Sequence, residues 1–364
     1  ILSVVAIVFV YSFERKSQDL EPKQIPIKTA EVIHQKTDSI PLLVLGSFMN
    51  LREEISKQEL INGIKTGVIL CTADLIDYLK LSFELENNPK AIVLDAFDFK
   101  NQSGLIVTTI DSVDSRFLSL KVDSISYFKN PADYSLWKEI EHGSFSYNKD
   151  ITRYNHTGVT ALTRSTGVTL DEKGIDFYLA NISPYFRDAE LVHVSNEVSL
   201  VDTCVYASMR LKFATKRKHF EVLKRLNVNL VELTGNHNLD VGKDAYLNTL
   251  DWYKNNNINY FGGGSTASEA NAPLIIELKD KSRVAWIGFN ERCPLRECAD
   301  DKPGANRYQD EKAESLIDSL KNLLKVDYVI ACVQFGEIDS YSPRDNQKYI
   351  CKKLIDYGAD VIIG

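Results

Sequence analysis

The chain has 364 residues, 44% hydrophobic and 26% charged, with 18 Gly and 10 Pro. That composition excludes collagen-like, disordered and multi-span membrane chains, and the length has room for two domains. With 43 basic and 50 acidic residues the net charge is −7, so the overall field repels polyanions and argues against nucleic acid as a partner.

The first thirteen residues, ILSVVAIVFVYSF, are almost wholly apolar and are followed at once by Glu14, Arg15 and Lys16. The run is shorter than the roughly 20 residues that span a bilayer. We read residues 1–13 as the tail of a truncated signal anchor, with an N-terminal strand as the competing reading. The anchor predicts a single-span protein of the cytoplasmic membrane with its bulk outside the cytoplasm. Residues 14–39, polar and carrying Pro22 and Pro26, read as a stalk.

From Ile40 the apolar run PLLVLGSF is followed by a helical pattern over Leu51 to Ile64, the strand-like GVILC, and a second helical pattern from Ala73 to Leu85. AIVLDAF (91–97), GLIVTTI (104–110) and FLSLKV (117–122) read as further strands. Residues 40–148 thus form a small α/β domain with no recognisable catalytic constellation, Asp95 and Asp98 being solvated strand-end groups. The polar stretch from His142 to Tyr154 marks its boundary.

Beyond Thr157, helical patterns at Thr215 to Leu226, Lys243 to Asn255 and Glu311 to Lys325 alternate with strand patterns at Asn229 to Leu233, Pro273 to Leu278, Arg283 to Gly288 and Val326 to Cys332. This is a sheet-centred α/β domain with crossover helices. Of the six cysteines, Cys332 and Cys351 lie in apolar segments and read as core residues, whereas Cys293 and Cys298 flank a Pro-containing loop and can bridge in an oxidising compartment.

The stretch NLVELTGNHNLDVG (229–242) runs a hydrophobic strand into Thr234, Gly235, Asn236, His237, Asn238 and Asp240 before a helix. Ligands gather at the carboxyl ends of strands in α/β sheets. Asn offers an amide oxygen to a metal, His a ligand or proton donor, and Gly a close backbone approach. The same residues also suit a plain turn with Asp240 capping the helix, and residue types alone leave both readings open.

These residues resemble the CapA-type capsule or poly-gamma-glutamate biosynthesis proteins, whose domain is similar to the calcineurin-like metallophosphoesterases. The resemblance covers residues 156–364 and rests on HTGVTALTR (156–164), VSNEVSL (194–200), LTGNHNLDVG with INYFGGGSTASEANAPLIIE, VQFGEIDSYSPRDNQ (333–347) and LIDYGADVIIG (354–364). It implies a metallophosphoesterase-like four-layer αββα sandwich. It further implies Asn236 as a metal ligand, His237 as the catalytic group, and Glu197, with Asn196 beside it, as the acidic ligand. One or more divalent ions, of which Mn, Fe or Zn fit, would polarise a phosphoryl or acyl oxygen and lower the pKa of bound water. The implied partners are an anionic envelope polymer or its precursor and other polymer synthesis or export proteins.

The departures from that pattern are specific. Where the family has Gly-Asp and then Arg, this chain has Gly158, Val159, Thr160 and then Arg164, so an acidic ligand is missing. Where it has His-Trp-Gly-x-Glu, this chain has Gln334, Phe335, Gly336 and Glu337, so an imidazole has become a neutral amide. The next expected element, a His-x-His, would begin just past Gly364, which makes the domain incomplete at its C-terminus. A metal-dependent hydrolase of an anionic polymer is therefore one reading, and a catalytically degenerate polymer-binding or scaffold component of the same machinery the other. A ligand cleft in residues 40–148 is a third. His193 and His156 lead toward the same strand ends and read more simply as strand histidines. The basic run Lys212, Lys216, Arg217, Lys218, Lys224 and Arg225 reads as a solvated face, and GGG at 262–264 as a tight turn.

Overall fold

The computed structural model describes residues 6–8, 39–47, 50–94, 104–113, 117–140, 151–206, 212–292, 297–300, 302–336, 340 and 342–364. These fall into two compact units, one holding Thr152–Gly364 with the strand Ala6–Val8, the other holding the described residues up to Ile151.

In the smaller unit a continuous apolar run makes Ser39–Ser47 a strand buried along all nine residues, as expected where both faces are covered. It pairs antiparallel with Leu105–Thr109 on one side and Phe117–Ser119 on the other, and the sheet continues through Leu70–Thr72 to Ala91–Ile92. The helix expected from Leu51 starts later, at Lys57, because Glu54–Ile55 is held as a strand by Lys121–Val122. Ser56 then caps it, accepting from the Glu59 amide at 3.1 Å. Leu60 and Ile64 are buried. A cleft of about 370 Å³ lies between Lys57, Tyr78, Phe83, Glu84 and Trp137.

The larger unit has two main sheets. In the first, Tyr154–Val159, Leu191–Ser195, Leu230–Glu232 and Asn259–Phe261 run parallel in that order. In the second, Arg283–Asn290, Tyr328–Gln334 and Val361–Ile363 run parallel, with Leu274–Glu277 antiparallel at the edge. Side chains alternate along a strand, and one parity of each sheet is strongly apolar. Val192, Val194, Val231 and Leu233 pack with Leu170, Tyr246, Leu250 and Tyr253 from the helices Arg164–Leu179 and Lys243–Asn255. Ala285, Ile287, Phe289, Val329 and Ala331 pack with Ile317 and Leu354 from the helices Asp310–Asp318 and Asp345–Tyr357.

The opposite parities of the two sheets meet one another. Trp286 Nε1 donates to the Tyr154 hydroxyl at 3.3 Å, and His193 lies 5.7 Å from the Phe261 ring centre. At Gly262, which has φ +72°, a Cβ would come within 3.0 Å of the Gly288 Cα. Only glycine permits so close an approach of the two backbones.

Two expectations are corrected here. Of the apolar N-terminal run, the described part, Ala6–Val8, is a strand antiparallel to Tyr154–Val159, with Ala6 opposite His156. No helix among the described residues is long and apolar enough to cross a membrane. The single-span localisation in the cytoplasmic membrane is overturned by that finding. The physical reason is in the residues, since Ile and Val favour a strand. The rest of the run and most of the stalk lie outside the described residues. The second correction concerns Thr215 to Leu226, which is not one helix. Ala214–Lys216 is a strand paired with Ser199–Val201, followed by a 3₁₀ turn and the short helix Glu221–Arg225. Thr215 is buried and donates to the Leu162 carbonyl at 2.6 Å, so tertiary pairing overrides the helical pattern.

Candidate functional site

The carboxyl ends of four strands converge in the larger unit. After Leu191–Ser195 the chain places Asn196 and Glu197, both buried. After Leu230–Glu232 it turns through Thr234, Gly235 and Asn236. A Cβ at Gly235 would sit 2.2 Å from the Glu197 Cβ, so the missing side chain is what lets these two loops touch. The Thr234 carbonyl accepts from Asn290 Nδ2 at 2.7 Å, and Asn290 is the cross-strand partner of Gln334. Glu197, Asn236, Asn290 and Gln334 thus end neighbouring strands.

The individual residues divide into those that build the loops and those left available. Asn196 donates to the Val198 carbonyl at 2.9 Å and to the Tyr253 hydroxyl at 2.7 Å, so it ties the loop to the helix Lys243–Asn255. Asn238 donates to the carbonyls of Leu233 and Gly235 and closes the turn. Asp240 does not cap the following helix, whose first residue is preceded by Gly242 with no side-chain cap. Its Oδ2 instead lies 2.7 Å from His237 Nδ1 and accepts from the Phe213 amide at 2.8 Å. A carboxylate on Nδ1 fixes the imidazole and leaves Nε2 for chemistry. Asn236 Oδ1 is buried with no hydrogen-bond partner among the described residues, the state of an acceptor built to meet something else.

Arg164 joins this group as the first residue of the helix Arg164–Leu179. It holds a left-handed backbone, φ +51°, which a bulky residue adopts only when its surroundings impose it. Its guanidinium lies 5.4 Å over the Phe213 ring, and the other neighbour of that ring is His237, at 4.2 Å. Phe213 thus links Arg164 to the His237–Asp240 pair. Sequence reasoning missed Phe213, which carries no local signal. Val159 is half exposed at the end of its strand, where the resemblance calls for a carboxylate. Glu337 lies outside the described residues.

A second cluster lies deeper, between the sheets. His193, Glu232 and Cys332 each offer one ligand atom, all within 4.8 Å of one another, and all three residues are buried. His193 Nε2 is 3.6 Å from a Glu232 oxygen, and the Thr234 hydroxyl donates to the other oxygen. His156 stacks on His193 with centroids 4.2 Å apart. Burial pushes the Glu232 carboxyl up to about 7, with the neighbouring Glu197 charge adding to the rise, and lowers His156 to about 4. Burial also lifts the Cys332 thiol well above its ordinary range. Neither Glu232 nor Cys332 stood out in the sequence. The signal for Glu232 was an acidic residue on the inward parity of NLVEL, flanked by Val231 and Leu233 on the helix-facing side.

The basic run is neutralised locally. Lys216 and Lys218 bind Asp171, Arg217 binds Asp202, Lys224 binds Glu221 and Arg225 binds Asp176. Cys298 is disulfide-bonded, while Cys71, Cys204, Cys332 and Cys351 are free. Cys293 lies outside the described residues.

The donor set at the strand ends fits a cation. Asn236 Oδ1 is orphaned and buried, and the Glu197 carboxylate is packed against the adjoining Gly235. Arg164 and His237 both lie against the Phe213 ring.

The family described as "Bacterial capsule synthesis protein PGA_cap" matches residues 148–364. The chain is 23% identical over 222 residues to "PGA biosynthesis protein CapA" of Bacillus subtilis (strain 168), covering 60% of this chain and 58% of that protein. It is 24% identical over 198 residues to "Capsule biosynthesis protein CapA" of Bacillus anthracis, covering 52% and 48%. The chain thus spans about half the length of these curated relatives.

Proposed function

Because the chain belongs to the PGA_cap family of bacterial capsule synthesis proteins, we propose that it works in making or exporting an anionic capsular polymer of the poly-gamma-glutamate kind, through the strand-end site. The fold we assign to the larger unit is the metallophosphoesterase-like αββα sandwich. The observation that carries the reading is the orphaned Asn236 oxygen beside Glu197, within a family match over residues 148–364. In this reading Asn236 and Glu197 hold a divalent ion, with Gln334 as a further neutral oxygen donor. Such an ion supplies Lewis-acid polarisation of a phosphoryl or acyl oxygen. His237, oriented by Asp240, donates a proton to the leaving group from Nε2. Arg164, braced on Phe213, holds the anionic group of the substrate.

A second reading is favoured by Val159 and Gln334. The loss of a carboxylate and an imidazole weakens a divalent site and suits a polymer-binding scaffold. One experiment separates the two. The gene is deleted in its own host and complemented with wild type, Asn236→Ala or His237→Ala, and capsular polymer is measured alongside protein level. The enzyme reading expects polymer to disappear on deletion, and turnover in both variants to fall by about 10²-fold or more at unchanged protein level. Full polymer output from both variants, with output lost on deletion, establishes the scaffold. Unchanged polymer on deletion overturns both.

A further inference from the structure

Three polar side chains from three strands meet in the layer between the two sheets. His193 comes from Leu191–Ser195 and Glu232 from Leu230–Glu232 in one sheet, and Cys332 from Tyr328–Gln334 in the other. Tyr154, Phe261 and Trp286 surround them with rings. His193 is 0% exposed, and neither ring nitrogen has a hydrogen-bond partner among the described residues. A buried imidazole left that way costs stability and needs an explanation. Packing alone does not give one, because an apolar residue would fill the space without the cost.

We propose that His193, Glu232 and Cys332 bind one zinc-class ion that clamps the two sheets together. One ligand pair already has the spacing such an ion needs, and the three ligand atoms lie within 4.8 Å of one another. Ligands at 2.0–2.3 Å around a tetrahedral centre lie roughly 3.3–3.6 Å apart, and His193 Nε2 is already 3.6 Å from Glu232. Imidazole, carboxylate and thiolate together select zinc or cobalt over the oxygen-seeking magnesium and calcium. His156, stacked at 4.2 Å with planes 16° apart, packs against the face of the His193 ring and limits its tilt. Being buried, the ion is taken up on folding. This site shares no ligand with the strand-end site, and its success or failure is independent of the reading given to Asn236 and Glu197.

The test is the full chain produced in cells supplied with cobalt or zinc, carrying Cys71→Ser, Cys204→Ser and Cys351→Ser so that Cys332 is the remaining thiol among the described residues. The expected result is a thiolate-to-cobalt charge-transfer band in the near ultraviolet. X-ray absorption of the zinc form should show a sulfur at about 2.3 Å with nitrogen and oxygen at about 2.0–2.1 Å. Asn236→Ala keeps both signals, while a further Cys332→Ser change or Glu232→Gln removes or greatly weakens them. A metal shell with no sulfur, or no bound metal, in the folded triple variant overturns the proposal. So does a cobalt band that survives Cys332→Ser. If Cys332→Ser fails to fold, the absorption spectrum of the triple variant decides alone.

Discussion

The two units bury very different interiors. Among the described residues of the smaller one, the buried polar side chains are hydroxyls, Ser39, Ser47, Thr72, Thr108 and Thr109, set in a core of Leu, Ile and Val. The larger one buries His156, His193, His219, Glu197, Glu232, Glu297, Asn196, Asn238, Asn290 and Asn306. Burying such groups costs free energy unless each finds a partner. A fold that only had to be stable would look like the smaller unit, and the polar interior of the larger one is where both proposed sites lie.

The comparison is broken most forcefully by truncating each core. Trp286→Ala removes a 1% exposed ring that joins the two sheets through Tyr154, and should cost about 3–5 kcal/mol. Leu43→Ala, in the fully buried strand of the smaller unit, should cost about 2–5 kcal/mol. Denaturant unfolding checks both. If the units are independently stabilised, each variant moves one transition and leaves the other in place, and a single shared transition shifted by both refutes that independence.

Charge burial gives the next largest difference. Glu269 accepts from the Ser265 amide at 2.7 Å and the Tyr260 hydroxyl at 2.6 Å and pairs with Lys254 at 3.2 Å. Burial by itself raises its pKa, but the donors outweigh it and hold the carboxyl at about 2 against an ordinary 4.5. A carboxyl lowered on folding stabilises above its unfolded value and loses that contribution as pH falls toward its folded one. Glu269→Gln should therefore cost up to about 3 kcal/mol at neutral pH, with the gap to wild type closing between pH 4.5 and about 2. In the smaller unit Glu59 is also lowered, by Arg52, but in open solvent, and Glu59→Gln should leave the acid limb in place. Thermal melts across that pH range decide it.

What the sequence disclosed follows the same division. Patterned elements were legible. The helix Lys243–Asn255 and the strands around Leu230–Glu232, Leu274–Glu277 and Tyr328–Gln334 fall where periodicity puts them, because one apolar face dictates each. Where a segment is governed by a distant partner, periodicity misleads, as at Thr215, whose strand exists only through Ser199–Val201. The strand-end cluster was visible because its residues are consecutive. The His193–Glu232–Cys332 cluster was not, since its members are 39 and 100 residues apart and each looks ordinary in its own strand. Arg164 was named from its motif, but its link to His237 runs through Phe213, which no spacing reveals.

The smallest change sharpens the contrast best. Tyr253 is fully buried in the helix-facing core, yet its hydroxyl accepts from Asn196, the residue before Glu197. Tyr253→Phe keeps the ring and its packing and removes one acceptor, so it should cost only about 0.5–1.5 kcal/mol. Asn196 retains the Val198 carbonyl, but the loop carrying Glu197 loses its tie to the helix Lys243–Asn255. If the polar interior positions a site, polymer output in the complemented host should fall by more than that stability loss accounts for, at unchanged protein level. Output that tracks stability alone would reduce the Asn196–Tyr253 bond to a core contact no different in kind from those of the smaller unit.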